Sequence, residues 1–173
     1  MENQMEKIEI NKTMHLSEHI TLGEVTKSRH AEIYNIPSHA AIENLKRVCA
    51  WLEELRRRYN LRYVLRSVSP PKLGGEIDTE EPIIINSGYR SPELNKKVGG
   101  SPTSNHLTGC AVDIRVAGIE QALRYAVILM DYADETRQDY DEILIEKNRY
   151  GAIWLHFAVR PKDNRRKTMF LQV

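Results

Sequence analysis

The stretch that decides the fold is SNHLTGCAVDIRV, residues 104–116, where a polar loop runs into an alternating apolar segment. It places His106 and Asp113 seven positions apart, with Gly109 between them. A glycine suits a sharp loop, and alternation of apolar and polar residues predicts a half-buried strand. A histidine on the loop and a carboxylate on the strand would supply two ligands of a metal site, which needs a third ligand from elsewhere.

Two strands are predicted to have one wholly apolar face each. Side chains alternate across a strand, so the buried faces are Cys110, Val112, Ile114 and Val116 in residues 110–116, and Ile153, Leu155, Phe157 and Val159 in residues 152–159. Asp113 and His156 are polar exceptions that point away from these faces. His156, which shares its face with Trp154, is therefore the proposed third ligand.

Two histidines and one carboxylate suit zinc with an open fourth position, which is typical of a catalytic site. Each residue also has a simpler interpretation. A single histidine on a strand or in a polar loop is often packed or solvated, as we expect for His15, His19, His30 and His39. Asp113 is the more unusual residue, because strands disfavour aspartate.

A catalytic zinc site also needs a base, and Glu146 at the end of DEILIE, residues 141–146, is the candidate. Glu142 shares its strand face. An odd number of connecting residues would put Glu146 on the face of His156, and an even number would not. The sequence leaves this parity open.

The order of elements predicts an α+β domain, with N-terminal helices packed on a small antiparallel sheet. Residues 1–15 form a loose leader, and residues 16–173 form one domain. Helices are expected from a capping box at Thr21 and Glu24, over residues 38–59 after Ser38, at Ser91–Glu93 and over residues 119–137. Strands are expected at residues 82–86, 110–116, 141–146 and 152–159, the last two forming a hairpin. Residues 67–81 are interpreted as a loop, and the basic tail RPKDNRRK as a solvated turn.

Composition excludes several broad classes. The formal net charge of +1 gives no reason to expect a nucleic-acid partner. No apolar run approaches the length of about 20 residues that a membrane span needs, and the polar N-terminal stretch does not resemble a secretory signal. We expect a protein that is cytoplasmic as synthesised, with Cys49 and Cys110 reduced and buried.

Residues 87–114, SGYRSPELNKKVGGSPTSNHLTGCAVDI, resemble the zinc peptidases of the M15 family. The shared pattern is S-x-H-x-x-G-x-A-x-D, which runs from Ser104 to Asp113, followed downstream by W-x-H at Trp154 and His156. Residues 16–37 resemble the N-terminal stretch of the single-domain, phage and prophage-like branch. The resemblance covers most of residues 16–159 and implies a fold like that of D,D-peptidases and hedgehog domains.

The resemblance implies Zn²⁺ on His106, Asp113 and His156. It implies that Arg90 stabilises the oxyanion or holds a substrate carboxylate, although an ion pair with Glu93 or a neighbour is the structural alternative. The predicted substrate contacts are Arg90, Ser87, Tyr89, Ser104 and Trp154.

The chain departs from the family at the base. Well-known members carry a glutamate three residues before the last histidine ligand, and here that position is Ile153. The implied function is hydrolysis of peptide bonds next to D-amino acids in peptidoglycan stem peptides, as a D,D-carboxypeptidase or an L-Ala–D-Glu endopeptidase. An endolysin-like, prophage-derived enzyme would reach the cell wall after release. The alternative is a non-catalytic peptidoglycan-binding or phage structural protein that retains the fold.

Overall fold

The computed structural model describes residues 11–64 and 80–173. Its helices are α1 (Leu22–Thr26), α2 (His39–Tyr59), α3 (Pro92–Lys97) and α4 (Ile119–Thr136), and its strands are β1 (Ile85–Ser87), β2 (Ala111–Arg115), β3 (Glu142–Lys147), β4 (Ile153–Ala158) and β5 (Lys167–Gln172). A π-helical turn (Asn60–Val64) extends α2, and a 3₁₀ turn (Asn105–Thr108) precedes β2. The α+β class predicted from the sequence is confirmed.

The predicted helix starts are confirmed in their capping contacts. Thr21 and Glu24 form a capping box on α1, where the Glu24 carboxylate accepts from the Thr21 backbone N–H at 2.8 Å. The Ser38 hydroxyl caps α2 by accepting from the Ala41 N–H, and Ser91 caps α3 with Pro92 in its first turn. These polar side chains satisfy N–H groups that have no partner within a helix, so the helices begin where the sequence indicates.

The strands form one five-stranded sheet in the order β1-β2-β4-β3-β5. Helices α2 and α4 pack against the face that carries Val112, Ile114, Leu155 and Phe157. Trp51 of α2 lies 5.4 Å from the Phe157 ring and 4.8 Å from the Tyr132 ring of α4, so it joins both helices to the sheet. The predicted apolar faces of β2 and β4 are thus in the core, and the opposite face is left for polar chemistry.

Two strand predictions are wrong. β1 covers only Ile85–Ser87, and the sheet is mixed rather than wholly antiparallel, because β5 pairs with β3 in parallel. The basic tail, predicted to be a solvated turn, instead bonds through Arg165 to the buried carboxylate of Asp141, and its last residue, Lys167, begins β5. The composition of a basic segment does not predict contacts with residues that are distant in sequence.

Most of the predicted 67–81 loop and residues 1–10 of the predicted leader lie outside the described residues. Of the remaining leader, Lys12 and Met14 accept backbone hydrogen bonds from Gly23 and Leu22 at 2.8 Å each. The domain boundary at residue 15 stays a prediction. In the part of the chain that the structure describes, no helix combines the length and apolar character that crossing a bilayer requires.

Candidate metal centre and adjoining cleft

His106 is held in a 3₁₀ turn that lies against helix α2. The Ser104 hydroxyl caps the turn by accepting from the His106 N–H at 3.3 Å. Gly109 ends it in the left-handed region, with φ of 72°, and a Cβ there would lie 2.4 Å from the Ala41 carbonyl oxygen. Glycine therefore suits this position for two reasons, conformation and space. The turn brings the His106 ring to a position where only 2% of the residue is exposed.

The hydrogen bonds of His106 define which ring nitrogen is free. Its Nδ1–H donates to the Gly88 carbonyl at 2.6 Å, since a carbonyl oxygen can only accept. Gly88 itself packs tightly, because a Cβ there would lie 2.3 Å from the Val25 carbonyl oxygen. Burial lowers the pKa of His106 and favours the neutral ring. In that form, Nε2 presents a lone pair towards Asp113 Oδ1, 3.2 Å away.

Asp113 and His156 are direct cross-strand partners on β2 and β4. His156 Nδ1 lies 2.9 Å from Asp113 Oδ1. The prediction that both point away from the core face is confirmed by the sheet register, but neither is solvated: their exposed fractions are 8% and 7%. Burial would raise the pKa of Asp113, but the two neighbouring histidines hold it well below its usual range.

The donor set fits a tetrahedral metal ion. One ligand atom from each of His106, Asp113 and His156 lies within 4.8 Å of the others. Zinc bonds of about 2.0–2.1 Å at tetrahedral angles place ligand atoms roughly 3.3 Å apart. The distances of 3.2 Å and 2.9 Å from Asp113 Oδ1 to the two histidine nitrogens are close to that value. A neutral His106 and an ionised Asp113 also direct two electron pairs at each other, which a cation between them would satisfy.

Arg90 connects Asp113, one of the three candidate metal ligands, to strand β1. Its Nη2 donates to Asp113 Oδ2 at 2.5 Å, and its Nε donates to the Ser87 hydroxyl at 2.9 Å. The alternative that Arg90 forms an ion pair is therefore correct in kind, but the partner is Asp113 rather than Glu93. Arg90 Nη1 makes no hydrogen bond to a described residue, so one edge of the guanidinium remains available to the cleft.

Glu146 lies on the face of His156, which answers the parity question. The register pairs Glu146 with Trp154, and Leu144 with His156. Burial raises the pKa of Glu146, and the residue forms no ion pair among the described parts of the chain. Ile153 packs against the hydrophobic core on the other face of β4. A glutamate at position 153 would thus face away from His156, so a base on this sheet face has to come from another strand.

Glu142 has a different environment from Glu146. Its Oε2 lies 3.4 Å from His156 Nε2 and accepts from Asn105 Nδ2 at 3.1 Å, while its Oε1 lies 2.9 Å from Arg165 Nη2. Its interaction with His156 lowers the pKa of Glu142 to about 2. Burial acts in the opposite direction on His156, but hydrogen bonds to Asp113 and Glu142 raise its pKa to about 9. Glu142 therefore orients the His156 ring from behind, as outer carboxylates do for metal-binding histidines.

Sequence reasoning missed the residues that support Glu142. Asn105 Nδ2 also donates to Asp141 Oδ2 at 2.7 Å, and Asp141 accepts from Arg165 and forms an ion pair with Arg160. The position of Asn105 next to His106 was the only available signal. Arg165, in the basic tail, gave none.

Two cavities adjoin at this site and share Arg90, Val98, Asp113 and Trp154. The His106 cavity, of about 780 Å³, also contains His106, His156, Glu142, Glu146 and Ser104 among its lining residues. The basic cavity, of about 640 Å³, is lined by Lys27, Ser28, Arg29, His30, Asn86, Ser87, Leu94 and Arg115 in addition to the shared residues.

Four of the predicted substrate contacts line these cavities. Arg90 and Trp154 line both, Ser87 lines the basic cavity and Ser104 lines the His106 cavity. Tyr89 does not: it is buried in the core, with 8% exposed. Its placement supports a packing role and gives no support to substrate contact.

Residues 74–140, less than half of the chain, match a family model described as Peptidase M15. This segment includes Arg90, His106 and Asp113. No curated protein matches the chain. The match supports a peptidase, and the His–Asp–His group could bind a metal ion.

Proposed function

We propose that this protein is a zinc-dependent peptidase that hydrolyses bonds next to D-amino acids in peptidoglycan stem peptides, a proposal supported by the match of residues 74–140 to the Peptidase M15 model. One observation carries the proposal. The ligand atoms of His106, Asp113 and His156 lie within 4.8 Å of one another, in a cavity that Glu146 and Arg90 also line.

His106, Asp113 and His156 would hold the zinc ion. When bound, zinc polarises a substrate carbonyl and lowers the pKa of water, which is the chemistry that amide hydrolysis needs. The chain contributes a rigid donor set, because His106 is fixed by Gly88 and His156 by Glu142. A hydrogen bond to the ring nitrogen that does not bind the metal restricts the orientation of the histidine and favours one bound geometry.

Glu146 is the proposed general base. Its carboxylate would accept a proton from the attacking water and deliver it to the leaving amine as the C–N bond breaks. Burial raises the pKa of Glu146 above the ordinary value of a glutamate, and a higher pKa makes its carboxylate a stronger base. Glu142 is less suited to this role, because its oxygens already interact with His156, Asn105 and Arg165.

Arg90 is the proposed oxyanion donor. The negative charge that develops on the carbonyl oxygen would be stabilised by the guanidinium edge that includes Nη1. The bonds from Nη2 to Asp113 and from Nε to Ser87 hold the group in place before substrate arrives. A preorganised donor of this type lowers the barrier without reorganising during the reaction.

The bond that is cut is either the D,D-bond of a carboxypeptidase substrate or the L-Ala–D-Glu bond of an endopeptidase substrate. Both fit the proposed partner, a peptidoglycan stem peptide, and an endolysin-like role. The non-catalytic alternative is motivated by Ile153, but Glu146 on the neighbouring strand gives the cavity a carboxylate of its own.

Digestion of purified muropeptides by the zinc-loaded protein, followed by mass spectrometry, tests the proposal and identifies the bond. A stem peptide should be cleaved and its all-L isomer should not, because a misplacement of about 1 Å at the reacting carbonyl costs on the order of 10²-fold in rate. Glu146→Gln should keep the zinc and lower turnover by about 10²–10⁴-fold. Equal cleavage of both isomers would contradict the substrate class, and cleavage of neither would favour the non-catalytic alternative.

A further inference from the structure

We propose that the basic cavity is an anion-binding subsite that takes a carboxylate group of the peptide substrate, close to the bond that is cut. Identifying the ligand as a substrate rests on the proposed function, but the physical basis of the inference is the charge and position of this cavity. It assigns a role to the segment after α1 and to Arg115, which the proposed chemistry does not use.

The basic cavity has an unbalanced charge. Of the described residues that line it, four are lysines or arginines, namely Lys27, Arg29, Arg90 and Arg115, and one carries a carboxylate, Asp113. The charge of Asp113 is already engaged by Arg90 and the two histidines. A cavity lined by charges of one sign focuses the electrostatic potential and attracts ligands of the opposite sign.

Within residues 11–64 and 80–173, the cations of the segment after α1 and of β2 have no carboxylate partner. Lys27, Arg29 and Arg115 form no ion pair with any residue in the ranges that the structure describes. The Arg115 guanidinium donates from Nε to Asn86 Oδ1 at 3.3 Å. Its two outer nitrogens make no hydrogen bond to a described residue.

Two cations that line the His106 cavity, by contrast, do have a carboxylate partner. In the His106 cavity, Arg165 and Lys167 lie 2.9 Å and 3.6 Å from Glu142 Oε1. Their charge is therefore compensated within the fold. Among the described residues, the two cavities thus differ in charge: the lysine and arginine side chains without a carboxylate partner line the basic cavity.

The spacing of residues along β2 gives the distance between this subsite and the candidate metal ligand Asp113. Asp113 and Arg115 are two residues apart on the same strand face, which corresponds to about 7 Å at a rise of about 3.3 Å per residue. An extended peptide covers that distance in roughly two residues. The carboxylate should thus lie within about two residues of the bond that is cut. It could be a chain terminus or the free carboxylate of a glutamate residue, and the chemistry of recognition is the same.

Calorimetry with two pairs of probes tests the inference on the full-length Glu146→Gln protein with zinc, which keeps the ligand intact. The first pair is acetyl-D-Ala-D-Ala and its C-terminal amide, and the second is acetyl-L-Ala-D-Glu diacid and its diamide. At least one acid should bind about 10-fold more tightly than its amide, the usual scale for a hydrogen bond to a charged group. The pair that shows the difference identifies the source of the carboxylate. The difference should shrink as salt rises from 50 to 500 mM, because these cations are solvent-accessible.

Arg115→Gln should weaken binding of the preferred acid about 5–10-fold and leave binding of its amide within about 2-fold. The double variant Lys27→Gln/Arg29→Gln should act in the same direction, which keeps the test decisive if one variant folds poorly. Arg149→Gln is the matched control, because Arg149 is exposed and lines neither cavity; it should change nothing. Equal binding of acids and amides, no measurable binding of either acid, or an equal effect of Arg115→Gln on acid and amide would overturn the subsite. Failure to cleave any muropeptide would instead overturn the proposed function, whatever the binding result.

Discussion

Replacing Asp141 by asparagine removes a buried charge that ties the C-terminal segment to the turn before β2. Asp141 is 0% exposed. Its Oδ1 accepts from Arg165 Nε at 2.9 Å, and its Oδ2 accepts from Arg165 Nη2 and Asn105 Nδ2, both at 2.7 Å. Arg160 Nη2 lies 2.9 Å from Oδ1. Asparagine has the same shape, but its amide group would point N–H donors at other donors.

The expected loss of unfolding free energy is about 3 kcal/mol. Breaking a buried ion pair by removing one partner costs about 3–5 kcal/mol, because the other charge is left without compensation. The lower end applies here, since the side chains of Arg165 and Arg160 are 51% and 32% exposed and can be partly rehydrated. For a chain of this size, the melting temperature should fall by roughly 6–12 °C.

Urea unfolding followed by circular dichroism measures this loss, with Asp139→Asn as the control. Asp139 pairs with Arg166 at 3.0 Å, but its side chain is 56% exposed, so its replacement should cost less than about 1 kcal/mol. A loss below about 1 kcal/mol for Asp141→Asn, or equal losses for both variants, would refute the reasoning.

The pH dependence provides a second check. Burial acts to raise the pKa of Asp141, but its bonds to Arg165 and Asn105 give a net lowering. A carboxylate with a lowered pKa in the folded state contributes stability above its unfolded pKa of about 4 and loses that contribution as pH falls through the folded value. The difference between the wild type and Asp141→Asn should therefore be constant from pH 5 to 8 and decrease below about pH 4. A difference that stays unchanged at pH 3 would contradict this explanation.

Three further outcomes are expected. His106→Ala and His156→Ala should each lose the single zinc ion per chain by elemental analysis, and unchanged zinc in both would remove the metal assignment. Gly109→Ala should lower unfolding free energy by about 1–2 kcal/mol from backbone conformation alone, and by more because its Cβ would meet an α2 carbonyl at 2.4 Å. Gly99→Ala, with a φ of 75° but open space, isolates the conformational part, so equal losses would exclude the steric contribution. Burial raises the pKa of the Cys49 thiol to about 12, so thiol reagents should label it only after unfolding; rapid labelling of the native protein would show otherwise.

The sequence by itself determined the local structure around the site. Side-chain alternation predicted which faces of β2 and β4 are buried, because a strand has a fixed period of two. Capping residues predicted where α1, α2 and α3 begin, because they bond to N–H groups only a few positions away. The grouping of His106, Asp113 and His156 also followed from the sequence, since each is a polar exception in an otherwise regular pattern or part of a recognisable motif.

Only the tertiary structure decided which carboxylate shares the cavity with the histidines. The β3–β4 register sets the face of Glu146, and that register depends on hairpin geometry rather than composition. The environments of Glu142 and Glu146 differ because Asn105 and Arg165 reach Glu142 from distant parts of the chain. Strand β5 could likewise not be predicted, because it forms by parallel pairing with β3 and local sequence patterns do not predict such a contact. Local periodicity reports which way a side chain points, whereas its partners, and so its charge state, depend on contacts between residues far apart in sequence.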